Sequence, residues 1–178
     1  MKRYFYIPVL MLLMLASCDQ KPTLQKYFVN SSEQKGFSTF DIAPNFIKTD
    51  KLKLSAEETK ALKSMEKLNV LMYKSKDNLK GFEIEKEKIK TLLKEDSYDE
   101  LMKINMGDGG VSISTKGEGE HIEEFVLFLQ NKETGIGVVR VLGDDMTPNN
   151  VMTIVGVLQK GGVDNGQLKP LLDLMKQK

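Results

Sequence analysis

His121 is the sole histidine of the chain, and Glu118, Glu120, Glu123 and Glu124 crowd around it. An imidazole titrates near neutrality and can take up or give a proton during a reaction, so a histidine among carboxylates is the first place to look for acid–base chemistry. Two carboxylates can also break a glycosidic bond, one as acid and the other as base or nucleophile. Glu120, Glu123 and Glu124 are the residues that such a hydrolase would use. Along a strand, however, neighbouring side chains point to opposite faces, so these acids are not expected to converge. His121 reads as an exposed turn residue, and no catalytic residue is expected.

The same acids, and Asp144-Asp145, carry the hard oxygens that calcium takes. Asp144-Asp145 are explained more simply by the positive end of the helix that follows them. Asp164-Asn165-Gly166 is a turn pattern with no ligand series or closing glutamate. One histidine and one cysteine cannot build a zinc site within the chain. Gly107-Asp108-Gly109-Gly110 lacks the lysine and hydroxyl of a phosphate-binding loop and reads as a hairpin. There is no Gly-x-Ser-x-Gly elbow, and Asn30-Ser31-Ser32 matches a glycosylation sequon only formally. Methionines 65, 72, 102, 106, 146, 152 and 175 fall at core-facing positions of separate elements, where flexible thioethers fill gaps. No metal site and no cofactor is expected.

Cys18, the single thiol, has a more specific setting. Lys2 and Arg3 start the chain with positive charge, and Tyr4 to Ala16 form an apolar run of about 13 residues, the length of a signal-peptide core. As a helix this run would span roughly 20 Å, against roughly 30 Å for the hydrocarbon layer, so it is too short for a permanent span. Ala16 and Ser17 are small enough for a peptidase pocket, and Cys18 next to them supplies the nucleophile for a diacylglyceryl group. Leu15-Ala16-Ser17-Cys18 resembles the lipobox of bacterial lipoprotein precursors. The resemblance implies cleavage before Cys18, acylation of the new amine, and a tether of residues 18–23 holding the domain on a membrane. Asp19 resembles an inner-membrane retention signal, whereas surface display in Bacteroidetes goes with more acids than Asp19-Gln20-Lys21-Pro22 carries. The expected place is the cell envelope, with the outer membrane facing the periplasm favoured.

Without residues 1–17, 161 of the 178 residues remain with a charge near −1, enough for one domain, read as 24–178. That charge gives no footprint for nucleic acid. The absence of tryptophan makes a carbohydrate-stacking surface less favoured.

The elements follow from periodicity. Leu24 to Phe28 suits one helical turn, and Phe37 to Ile42 alternates as a strand before Pro44. Ser55 and Glu58 have the spacing of a capping box, opening a helix with Ala61, Leu62, Met65 and Leu68 on its apolar face. Leu68 to Tyr73 is a strand. Phe82, Ile89, Leu92 and Leu93 define a second amphipathic helix, with Glu83/Lys86, Glu85/Lys88 and Glu87/Lys90 paired on its solvated side. Four strands follow, Leu101 to Met106, Val111 to Thr115, Ile122 to Leu129 and Ile136 to Leu142, turning at Asp108-Gly109 and at Lys116 to Gly119. Phe125 to Leu129 is apolar on both faces and predicts a central strand. Thr147-Pro148 opens a third helix with Val151, Ile154, Val155 and Leu158 inward, Gly161-Gly162 stops it, and Leu168 to Met175 is a last short helix. The predicted class is α+β: a mixed, largely antiparallel sheet of about six strands with a C-terminal meander, packed by three to four helices.

With this element order behind a lipobox, the chain resembles the lipoprotein family of domain of unknown function 4252, common in Bacteroidetes. The similarity rests on Gln25-Lys26-Tyr27-Phe28, Gly36 with the following strand, Leu68-Asn69-Val70-Leu71, Tyr98 to Ile104, and Val139-Arg140-Val141-Leu142-Gly143. It implies a compartment and a fold but no activity. The expected function is a non-enzymatic, membrane-anchored binding module whose partner is an envelope protein or a small apolar ligand. The alternatives are the carboxylate-dependent hydrolase of an envelope polymer and a small-lipid carrier, which would need a sizeable apolar cavity.

Overall fold

A run with no polar position, such as Phe125-Val126-Leu127-Phe128-Leu129, puts apolar side chains on both faces of a strand and requires cover on each. The computed structural model, which describes residues 21–43, 52–75 and 78–159, supplies that cover. Six strands, β1 (Phe37–Ile42), β2 (Met65–Tyr73), β3 (Asp99–Met106), β4 (Gly109–Glu118), β5 (His121–Asn131) and β6 (Gly135–Met146), form one open sheet in the order β1-β2-β6-β5-β4-β3. β5 and β6 are the central strands. The largely antiparallel sheet expected from the sequence is present, and every pairing in it is antiparallel, so no parallel pair is found among the described residues. The meander from β3 to β6 ends by pairing β6 with β2.

Among the described residues four helices, two on each face, close the core. α1 (Leu24–Ser31) and α3 (Leu79–Glu95) lie on one side, where Leu24, Phe28, Phe82, Ile89 and Leu93 meet Leu71, Val126, Phe128, Ile136 and Val138. α2 (Ala56–Lys63) and α4 (Pro148–Gln159) pack together on the other, where Ala61, Leu62, Val151, Ile154 and Val157 meet Leu68, Val70, Phe125, Leu127, Val139 and Val141. Alternation along β5 thus feeds two separate cores. At about 25 cal/mol per Å² of apolar surface removed from water, these two interfaces are the main favourable term in folding.

Local signals set the helix starts. Thr23 accepts the Lys26 amide at 3.3 Å and opens α1, which extends beyond the single turn expected. At α2 the capping box is complete: Ser55 Oγ accepts the Glu58 amide at 3.1 Å and the Glu58 carboxylate accepts the Ser55 amide at 2.8 Å. α2 then ends at Lys63, short of the expected Met65 and Leu68. Met65 starts β2 instead, three residues before the strand expected from Leu68, and both remain buried in the same core as Ala61 and Leu62, so their spacing reports a shared interior and not a shared helix. The β3–β4 turn takes its positive φ, 49°, at Gly107, one residue before the Asp108-Gly109 pair.

No helix among the described residues is long and apolar enough to cross a membrane. Cys18 with its leader, Pro44, Gly161-Gly162 and the helix expected over 168–175 lie outside the described residues.

Candidate functional site

The last two strands of the sheet, β4 and β3, extend past the helices on the α1/α3 side, and the step between α3 and this ribbon is an open groove of about 330 Å³. Its floor follows from register. Phe128 faces the core below α3, its cross-strand partner Ser112 points the same way, and so does Lys103 beyond Ser112. One pair along, Ser114 lies between Val126 and Glu100 on that face. The wall comes from α3, where Lys90, Leu93 and Lys94 fall on one side of the helix by their spacing, and from Tyr98 just after it.

The groove therefore presents ammonium groups from two elements. Lys90 pairs with Glu87 at 2.9 Å, and Lys103 reaches Glu100 only at 3.9 Å. Lys94 has no ion pair among the described residues. The side chains of Ser112, Ser114 and Gln130 make no hydrogen bond among the described residues either, although Ser114 is only 5 % exposed. Among the described residues the one side-chain atom both buried and without a partner is Ser31 Oγ, so the groove hydroxyls and the Gln130 amide are open to solvent, which a ligand can replace.

Behind the groove, on the same sheet face, a row of polar side chains crosses four strands. Asp41, Asn69 and Arg140 are neighbours across β1, β2 and β6. Arg140 holds Glu124 through two bonds, Nε to Oε1 and Nη2 to Oε2, each 2.6 Å, and its Nη1 reaches Asn69 at 3.4 Å. Asn69 donates to Asp41, which also pairs with Lys67 at 2.9 Å. Tyr98, a groove residue, donates its hydroxyl to Glu124. Burial acts against the charge on Arg140, but the hydrogen bonds and negative charge of Glu124 outweigh it and hold the guanidinium pKa above its ordinary value. Burial, with the adjacent Glu124 carboxylate, drives the Tyr98 phenol upward, so it stays a donor. Lys116 sits over the Tyr98 ring at 5.3 Å and pairs with Asp96 at 2.8 Å, clamping the end of α3 to β4.

The acids singled out in the sequence do not assemble. Glu118, Glu120 and Glu123 are exposed, and Glu124 is buried and fully engaged by Arg140 and Tyr98. None of the four lines the groove. His121 is exposed and its Nδ1 contacts Asp145, whose hydrogen bond and charge raise the imidazole pKa above the ordinary value. Asp145 takes a positive φ of 52°, and Asp144 is exposed. Among the described residues no three histidine, cysteine or acidic side chains are placed to share a metal ion. Met65, Met72 and Met146 are buried in the core and Met102 packs against it, while Met152 is 40 % exposed.

The groove residues carried no signal of their own in the sequence. Lys90 and Lys94 read as part of a solvated helix face, and Ser112 and Ser114 as the polar side of a strand. Only the strand register brings them together.

A model of the family described as a domain of unknown function (DUF4252) matches residues 27–154, from α1 to α4. No curated protein and no solved structure matches the chain.

Proposed function

This chain belongs to the domain of unknown function (DUF4252) family, and we propose that it is a lipid-anchored, non-enzymatic binding module of the cell envelope, holding a ligand in the groove between α3 and the β3–β4 ribbon. The observation that carries the binding role is the groove itself: an open cavity of about 330 Å³ edged by Lys90, Lys94 and Lys103 and floored by unpaired serine hydroxyls. Support for a non-enzymatic role comes from the acid–base candidates, since Glu124 is engaged by Arg140 and Tyr98 and His121 stands at an exposed corner that does not line the groove. The lining mixes apolar side chains such as Leu93, Ile104 and Phe128 with the lysines and serines, and it is these charged and hydroxyl groups that favour a hydrophilic ligand over an apolar one. Both apolar clusters are built from side chains packed between helices and sheet, which favours a binding module over a lipid carrier.

The anchor rests on Leu15-Ala16-Ser17-Cys18 behind Lys2, Arg3 and an apolar run. Cleavage before Cys18 and acylation at its sulfur and amine fix the domain to the outer membrane, facing the periplasm, through several chains where one alone would hold only marginally. Mass spectrometry of the full-length protein expressed in a Gram-negative host is expected to find Cys18 at the amino end with its acyl mass, and Cys18→Ala is expected to release the protein from membranes. An intact Met1 or a bare thiol overturns the anchor. For the groove, a photo-crosslinking residue at position 112 is expected to form a ligand adduct in cells that the same residue at exposed position 133 does not form. Equal labelling at both positions overturns the binding role.

A further inference from the structure

Resting on the groove as the binding site, we infer that its ligand is a small hydroxyl-bearing organic anion, a phosphate or carboxylate of a polyol or sugar. Charge sets the first half of this assignment. Lys90 and Lys94 stand on one helix face and Lys103 on the strand opposite, against a single lining acid, Glu100, which lies 3.9 Å from Lys103. An anion entering between the two walls meets ammonium groups from both, and it can attract Lys94 without breaking an existing pair. Its bonds to these lysines would be charge-assisted, roughly twice as strong as neutral ones.

The second half comes from the floor. Ser112, Ser114 and Gln130 offer donors and acceptors that no neighbouring side chain uses, a set suited to hydroxyl groups and wasted on a bare inorganic ion. The volume suits a ligand of about the size of one sugar, at the small end of ligand cavities. Tyr98 forms one wall, and its hydroxyl is already committed to Glu124. It therefore shapes the groove without competing for the ligand.

Isothermal titration of the full-length protein in neutral detergent tests this with glycerol 3-phosphate and glucuronate against glycerol, glucose and inorganic phosphate. The charged polyols are expected to bind saturably and at least tenfold tighter than their neutral counterparts. Lys94→Glu and Lys103→Glu are each expected to weaken them tenfold or more, with unchanged unfolding midpoints. Ser112→Ala with Ser114→Ala is expected to narrow the preference for glycerol 3-phosphate over inorganic phosphate. Phosphatidylglycerol vesicles, compared with phosphatidylcholine vesicles, distinguish a lipid headgroup from a free ligand as the source of the anion, by whether they compete with glycerol 3-phosphate. Binding of anions that the lysine variants leave intact overturns the inference, as does a preference for the neutral compounds. If the residue-112 adduct forms in cells yet no anion outbinds its neutral partner, the ligand class is wrong and the binding role stands. If neither is seen, both fall.

Discussion

Arg140 and Glu124 meet fork to fork on the α1/α3 face of the sheet, with both contacts at 2.6 Å and side chains only 12 % and 9 % exposed. They are not direct cross-strand partners: Arg140 pairs with Val126, and Glu124 with Leu142. The bidentate contact is thus diagonal, within reach of a long side chain. Removing one partner of a buried ion pair strands the other charge at a cost of about 3–5 kcal/mol, whereas replacing the whole set with apolar groups can be nearly neutral. Arg140→Met and Glu124→Leu are each expected to destabilise by that amount in urea unfolding. The triple variant with Tyr98→Phe, which also removes the hydroxyl that Glu124 accepts, is expected to lie closer to the wild type than either single change.

Tyr27 of α1 donates its hydroxyl to Glu85 of α3 at 2.7 Å, and Lys88 approaches the other oxygen at 2.7 Å. Glu85 is only 9 % exposed, because α1 lies against the part of α3 that its charge pattern assigned to solvent. Burial and this carboxylate together push the Tyr27 phenol well above its ordinary pKa. Tyr27→Phe is expected to cost about 1–2 kcal/mol. Its ring contact with Phe37 should survive, so the loss should appear as faster amide exchange confined to α1.

Much of this fold could be read from the chain, and the reason is local. The capping box at Ser55 and Glu58, the three glutamate–lysine pairs of α3 and the two-faced β5 each depend on spacing within one element. Met65 misled because apolar spacing reports burial and not the type of element that delivers it. The candidate site was not legible for a different reason. Lys94, Lys103, Ser112 and Gln130 come from α3, β3, β4 and β5, and their meeting depends on a strand order in which β3 is the outer edge. Glu124 was singled out as an acid, but its neutralisation by Arg140 depends on the β5–β6 register, which sets Arg140 opposite Val126 and so diagonal to Glu124.

His121 and Asp145 join β5 to the end of β6 at an exposed corner. The Asp145 hydrogen bond, then its charge, then Glu120 favour the protonated ring, so the folded state binds this proton more tightly than the unfolded one. The resulting stabilisation is fully present below the unfolded imidazole value of about 6.5 and is lost as pH rises through the folded-state value. Imidazole resonances followed by NMR are expected to titrate with a midpoint above that value. Asp145→Asn is expected to move the midpoint back toward it.

Two glycines of the described structure should respond to alanine in opposite directions. Gly135 opens β6 at a φ of 127°, and a Cβ there would collide with the Tyr73 carbonyl oxygen while sitting 3.1 Å from the Lys74 Cα. Backbone strain of order 1–3 kcal/mol adds to a clash with main chain, which cannot rotate away. Gly135→Ala is therefore expected to cost more than about 3 kcal/mol and to loosen the junction of β6 with the end of β2. Gly156 lies inside α4, and a Cβ there would meet nothing within 4 Å. Helical alanine is favoured over glycine by about 0.5–1 kcal/mol, chiefly by narrowing the unfolded ensemble. Gly156→Ala is expected to raise stability by that amount, read as a higher urea midpoint at unchanged slope. A loss at position 156 would mean that the helix needs its glycine for a close contact of α4, a role the described residues do not require.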